Sequence, residues 1–141
     1  TQRIFVGCSI NWISGTNPTN VAMSTLVNVL GICMESGNPN ILLIHNDSTG
    51  SANIIDTGVV NNANNVYGLY MSQNYGETFI TIKLKIFNKS TGNLTYWDYT
   101  ILSDYSGNDL YAALWCVDSL GVTATSVTDF GILRTKRRRY L

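Results

Sequence analysis

The sequence predicts an all-β fold, a two-sheet antiparallel sandwich that takes up residues 1–141 as a single domain. Three observations carry this reading. Apolar and polar residues alternate with a period of two in one segment after another, the pattern of strands with one buried face. No stretch keeps the 3.6-residue period of an amphipathic helix. Clusters of Gly, Pro, Asn and Ser interrupt the apolar segments at the short, regular spacing of strand-to-strand connections.

Taken in order, "RIFVGCSINWI" starts at Arg3 as an alternating strand, and "SGTNPTN", with Gly15 and Pro18, ends it in a loop. "STLVNVLGICME" is a second apolar run, stopped by "SGNPN", where Gly37 and Pro39 set a turn. "NILLIHND" is the third, turned by "STG". "NIIDTGVV" is a short fourth segment, and the loop "NNANN" separates it from the fifth, "VYGLYMS". In "FITIKLKIFN", Ile80, Ile82, Leu84 and Ile86 face one way while Thr81, Lys83 and Lys85 face the other, so one face is core and the other is wet. "KSTGN" joins it to "LTYWDYTI" as a hairpin. "LYAALWCVD" follows the loop "SDYSGND", and "TDFGILRTKRRR" closes a set of about nine strands at the regular spacing expected of a two-sheet sandwich.

Hydrophobic residues make up 45% of the chain and charged residues 13%. That balance excludes a disordered chain and describes a packed domain whose surface polarity comes from Asn, Thr, Ser and Gly. No apolar run approaches the roughly 18 residues of a membrane span and no basic-then-apolar signal segment opens the sequence, so a soluble domain without a membrane partner is expected. A strand that already begins at Arg3 points to a processed product or a module of a longer protein. Cys8, Cys33 and Cys116 are odd in number, far apart and set in apolar runs, which fits free buried thiols in a reducing cytosol better than a disulfide framework, with one pair and a spare thiol as the alternative. Sequons at Asn46, Asn88 and Asn93 would permit secretion, although a chain this rich in Asn and Thr generates sequons by chance.

The nine basic and nine acidic residues cancel, but not evenly along the chain. Arg134, Lys136, Arg137, Arg138 and Arg139 fall in the C-terminal strand or tail, residues 134–141, and every acid precedes them, so a tail of +5 follows a body of −5. Such a block suits a solvated last strand or an acidic protein surface on a partner better than nucleic acid. Aromatic interleaving is limited to Tyr140, and the acidic body would repel phosphate.

The single histidine, His45, stands beside Asn46 and Asp47 and invites a metal reading. Successive residues of an extended chain point to alternate sides, so the three cannot converge on one ion. "NDSTG" instead has the composition of a turn in which Asn46 or Asp47 bonds its own backbone and Gly50 takes a positive φ. No metal and no other cofactor is expected. Catalysis is not expected either. Glycoside hydrolysis requires two carboxylates facing each other across a cleft, whereas Glu35 and Glu77 stand alone beside turns and Asp98 has no acidic neighbour nearer than Asp104. A serine or cysteine triad would need His45 as its base, and nothing in the sequence links it to a nucleophile.

The succession "RIFVG", a long loop, "NVLGICMESGNPNILLIHNDSTGSANIIDTG", "YGLYMS" and a hairpin resembles a recurrent domain of bacteriophage fibre and other virion proteins. Gly31-Ile32, Asn46-Asp47-Ser48-Thr49-Gly50 and Ile55-Asp56-Thr57-Gly58 occupy its recurring positions, and the match runs from Arg3 to about Leu133. The resemblance implies a concanavalin A-like jelly roll and a role as a fibre, spike or decoration module of a virion assembled in the host cytoplasm. It also implies contact with other virion proteins, a homo-oligomer with a trimer favoured, and attachment to host-surface glycans. The runner-up is a carbohydrate-binding module or lectin domain of a secreted protein.

Sugar recognition uses aromatic faces for stacking and amides or carboxylates for hydroxyls. The candidates are Trp12 beside "SGTNPTN", Tyr67 and Tyr70 after "NNANN", Asp98 between Trp97 and Tyr99, and Tyr105 in "SDYSGND". Trp12 and Tyr105 are preferred because each adjoins a Gly- and Asn-rich loop. Trp115 in "AALWCV" reads as core, as does whichever of Trp97 and Tyr99 points inward.

Overall fold

The structure is a computed structural model that describes residues 2–9, 23–35, 37–47, 50–73, 77–102 and 111–118. Trp12, Tyr105 and the block from Arg134 to Arg139, with the ninth strand expected there, lie outside the described residues. Within them the chain forms eight strands: β1 (Gln2–Ser9), β2 (Val29–Met34), β3 (Asn40–Asn46), β4 (Asn53–Val60), β5 (Asn65–Ser72), β6 (Phe79–Asn88), β7 (Leu94–Leu102) and β8 (Tyr111–Asp118). One 3-10 turn, Met23–Thr25, is the sole helical element among the described residues. The strands build two antiparallel sheets, ordered β4-β3-β2-β1-β8 and β5-β6-β7. The all-β, two-sheet arrangement is the one the alternation predicts.

The sheets pack face to face. Leu30 of β2 and Leu43 of β3 meet Ile80 and Ile82 of β6 and Ile101 of β7, while Ile32 and Ile41 meet Leu84. Ile82, Leu84 and Leu43 are fully buried, and each such side chain contributes roughly 1.5–3 kcal/mol through the apolar area it removes from water. The larger sheet is covered on its other face too. There Phe5, Val29, Cys33, Leu42 and Ile44 pack with Met23, Leu26 and Ala52. This second layer explains why β2 and β3 read as unbroken apolar runs and β6 as a clean alternation. Strands buried on both faces need apolar residues at every position, and a strand with one wet face does not.

β2 begins later than the apolar run "STLVNVLGICME" suggests. Asn28 takes a positive φ of 54° that interrupts the extended chain, so the strand starts at Val29 and Met23–Thr25 turns over the sheet instead. Further along, Gly31 pairs with Gly7 of β1. A Cβ added at Gly7 would meet the carbonyl oxygen of Leu30 and stand 2.6 Å from the Gly31 Cα. Two glycines are required here because the backbones approach too closely for any side chain.

The motif "IDTG" forms an irregular ladder. Asp56 pairs with Leu42 and Val60 with Asn40, so β4 carries two more residues than β3 between these pairs, and Gly58 takes a φ of 68°. Side chains replace the missing ladder bonds. Thr57 donates its hydroxyl to the Ile41 carbonyl at 2.6 Å and accepts the Val59 N–H at 3.1 Å, while Asp56 accepts the Gly58 N–H at 2.8 Å. Of "NDSTG", Ser48 and Thr49 lie outside the described residues; Gly50 has the expected positive φ, 75°, and the buried Asn46 amide donates to the carbonyls of Gly50 and Leu26. Asn46 and His45 point to opposite faces of β3, and Asp47 follows the strand end.

Cys8 and Cys33 are free thiols. Their register partners, Leu30 and Phe5, lie on opposite faces of the larger sheet, so a bond between the two is excluded. Cys116 occupies β8 opposite Ile4.

Candidate interaction face

Every strand of the smaller sheet alternates, so its outer face can be written out from the register. Val66 pairs with Phe87 and Phe87 with Leu94; Gly68 with Lys85 and Lys85 with Tyr96; Tyr70 with Lys83 and Lys83 with Asp98; and Phe79 with Leu102. These residues all lie opposite the core row Ile80, Ile82 and Leu84. The face is apolar to an extent unusual for an exposed sheet. Val66, Tyr70, Phe79, Phe87, Leu94, Tyr96 and Leu102 are all exposed, from 36% at Phe79 to 84% at Leu102. Val66, Phe87, Leu94, Tyr96 and Tyr70 cluster at one end, and the polar rows Lys83-Asp98 and Ser72-Thr81-Thr100 separate them from Phe79 and Leu102 at the other.

At the end of the sheet near the Lys89–Gly92 turn the face is hollowed into an open cleft of about 510 Å³. Its floor is Gly68, and Val66, Tyr70, Lys85, Phe87 and Leu94 stand around it. The Tyr70 ring leans toward the glycine, since a Cβ placed on Gly68 would lie 3.3 Å from Tyr70 Cε2.

The charged residues on this face are Lys83, Lys85 and Asp98. Of the four cations that precede the basic block, Lys83, Lys85 and Lys89 belong to β6 and the turn after it, leaving Arg3 elsewhere. Lys83 is engaged: its Nζ lies 3.6 Å from Asp98 Oδ1 and 5.4 Å from the centroid of the Tyr96 ring. Both charged groups are about half exposed, so the pair contributes a few tenths of a kcal/mol and serves mainly to neutralise Asp98. Lys85 makes no ion pair among the described residues and is the free cation at the cleft.

Of the sugar-site candidates, Tyr70 and Asp98 come together on this face, with Lys83 between them. Tyr67 also lines the Gly68 cleft, but its ring does not stand beside Tyr70 on this face. Three residues from Tyr70 on one strand, it points inward, and its hydroxyl donates to the Val60 carbonyl at 3.1 Å and accepts the Asn62 N–H at 2.8 Å and the Asn65 amide at 3.2 Å. It fastens "NNANN" between the two sheets. Trp97 and Tyr99 both occupy the inner side of β7, two residues apart and stacked at 5.5 Å between centroids, so there is no choice between them as the inward residue. Trp97 packs against the core while Tyr99 remains 37% exposed at the sheet margin, and Asp98 faces away from both. Trp115 lies on β8 opposite Phe5, with its side chain outside the described residues.

Sequence reasoning missed Val66, Phe79, Lys85, Phe87, Leu94, Tyr96 and Leu102 as site residues. The signal was their parity, each an even number of positions from Lys83, Tyr70 or Asp98 on its own strand.

Among the described residues no group of three His, Cys, Asp or Glu side chains is placed to hold a metal ion. Asp56 is tied up at the β4 bulge, bonded by the Gly58 N–H and by the Asn40 amide at 2.9 and 3.1 Å, which holds its carboxyl below the usual range. His45 is half-buried, and that burial lowers its pKa against the opposing pull of Asp47. Compared with known proteins, the sequence matches no family model and no curated protein, and the fold matches no solved structure.

Proposed function

We propose that the chain is a non-enzymatic structural module of a virion, a fibre, spike or decoration domain, that works by burying the outer face of β5-β6-β7 against its neighbours. The observation that carries the reading is the concentration of seven large exposed apolar side chains on that one face. A soluble domain keeps such a patch for a protein contact. The virion setting rests on the motif resemblance, and so does the concanavalin A-like jelly roll; the described pairings are sequential apart from β1 with β8. Free Cys8 and Cys33 are consistent with assembly in a reducing host cytoplasm. The basic block belongs to the same proposal as a contact for an acidic surface of another virion protein.

The aromatic walls of the Gly68 cleft favour a second reading, a glycan-binding domain in which Tyr70 stacks on a sugar ring. One experiment separates the two. Phe87→Ser and Leu94→Ser lie at exposed positions and leave thermal melting nearly unchanged, but they abolish incorporation of the chain into its particle. Normal incorporation with loss of glycan-array binding decides for the second reading.

A further inference from the structure

The outer face has a complement elsewhere on the same molecule. Among the described residues, the large apolar side chains exposed away from this face are Ile54 and Val60 of β4 and Tyr99 of β7. Ile54, Asp56 and Val60 pair with Ile44, Leu42 and Asn40, alternate residues of β3, so the three share one side of the edge strand β4. They form a row in which two apolar side chains flank a carboxylate. Asn40, Asn38 and the Gly58 N–H hold that carboxylate in one position.

We propose that the Gly68 cleft receives this row from a second copy of the chain, with Ile54 and Val60 set among Val66, Phe87 and Leu94 and Asp56 opposite Lys85. Charge selects this occupant. The face carries Lys83 and Lys85 against Asp98, which Lys83 already neutralises, so packing it on its own copy would set two net-positive faces together, and the basic block would meet Lys85 with like charge. The β4 row supplies the opposite sign with apolar contact on both sides. The contact is therefore heterologous, face to edge, and it closes into a ring or runs on as a filament according to the rotation between copies.

Three strands about 4.8 Å apart and about nine residues long give a face of roughly 400 Å², below the roughly 800 Å² per partner of a standard interface. A single contact is weak, and several must act together. The inference rests on the assembly reading above and can fail without it.

The test is sedimentation velocity on the full chain at low and high ionic strength. Wild type associates with rising concentration, and salt weakens the association. Lys85→Glu lowers the association constant by at least about tenfold. Asp56→Asn, which keeps an oxygen for the Gly58 N–H, lowers it less. Mixing Lys85→Glu with Asp56→Lys restores association, because each unlike contact then pairs opposite charges. Disulfide trapping supplies a readout independent of those variants: Leu94→Cys and Val60→Cys cross-link when mixed and not singly. The proposal is overturned by a chain that stays monomeric, by Lys85→Glu associating like wild type, or by Leu94→Cys cross-linking to itself. A monomeric chain that still needs Phe87 and Leu94 for incorporation into a particle removes the copy-to-copy contact and leaves the assembly function standing.

Discussion

Replacing Gly31 with alanine probes the tightest point of the larger sheet. The added Cβ would meet the carbonyl oxygen of Val6 and lie 2.8 Å from the Gly7 Cα and 3.0 Å from the Val6 carbonyl carbon. All three are backbone atoms of a paired strand, so no rotamer change relieves the overlap, and ordinary contact begins at 3.4 Å. β1 and β2 must move apart by more than half an ångström at the centre of a sheet buried on both faces. Overpacking of this kind costs about 1–3 kcal/mol or somewhat more. Part of the local ladder weakens with it, so about 3 kcal/mol is expected for Gly31→Ala and a similar loss for Gly7→Ala. The double variant costs less than the sum, since strands already parted admit the second methyl cheaply. Urea unfolding followed by circular dichroism measures this: with a slope of about 1–3 kcal/mol/M, the midpoint falls by about 1–3 M. Gly68→Ala is the internal control. Its Cβ meets a movable Tyr70 ring at 3.3 Å, so the gain from restricting the unfolded chain, about 0.5–1 kcal/mol, offsets the contact and the midpoint barely moves. A Gly31→Ala midpoint within error of wild type would refute the close-approach argument.

Thr57→Val removes a buried hydroxyl that serves both the Ile41 carbonyl and the Val59 N–H, and a loss of about 1–3 kcal/mol is expected in the same urea assay. Burial lowers the folded-state pKa of His45 below its unfolded value of 6.5, so its contribution is constant above pH 6.5 and stability falls as the pH drops below it. Melting temperatures of His45→Gln from pH 8 to 5 should show a shallower fall than wild type, and identical profiles would count against the reading. Asp56 adds its own loss only below pH 3.8, because its pKa is lowered from that value. The Cys33 thiol is pushed up to about 12 by burial and by Glu35, so it should resist alkylation in the folded chain and react on unfolding, as peptide mapping would show. Fast labelling of Cys33 in native buffer would contradict its placement.

Periodicity revealed β6 and the β6–β7 hairpin because a strand with one wet face records its orientation in its own residues. It was silent where both faces are buried. In "ILLI", Ile41 to Ile44, every residue is apolar, and nothing local says that Ile41 and Leu43 meet the smaller sheet while Leu42 and Ile44 meet Met23 and Leu26. Nor does it detect the β4 bulge, which depends on the reach of the Thr57 hydroxyl and a positive φ at Gly58 rather than on the apolar pattern. Parity alone would have separated Tyr67 from Tyr70 and placed Trp97 with Tyr99, three residues apart giving opposite faces and two giving the same one. The interaction face required more than parity. Lys83 and Lys85 marked the outer side of β6 as wet, although Phe79 and Phe87 lie on that side too. The apolar patch appears only when register sets Val66 and Leu94 on either side of Phe87, and register is a relation between strands that no single segment encodes. A lysine on a strand therefore marks the side that is not core without establishing that water covers it. At Lys85, without an ion pair among the described residues and ringed by Tyr70, Phe87 and Leu94, the same charge that made the face look solvated is what would select an acidic partner in the proposed contact.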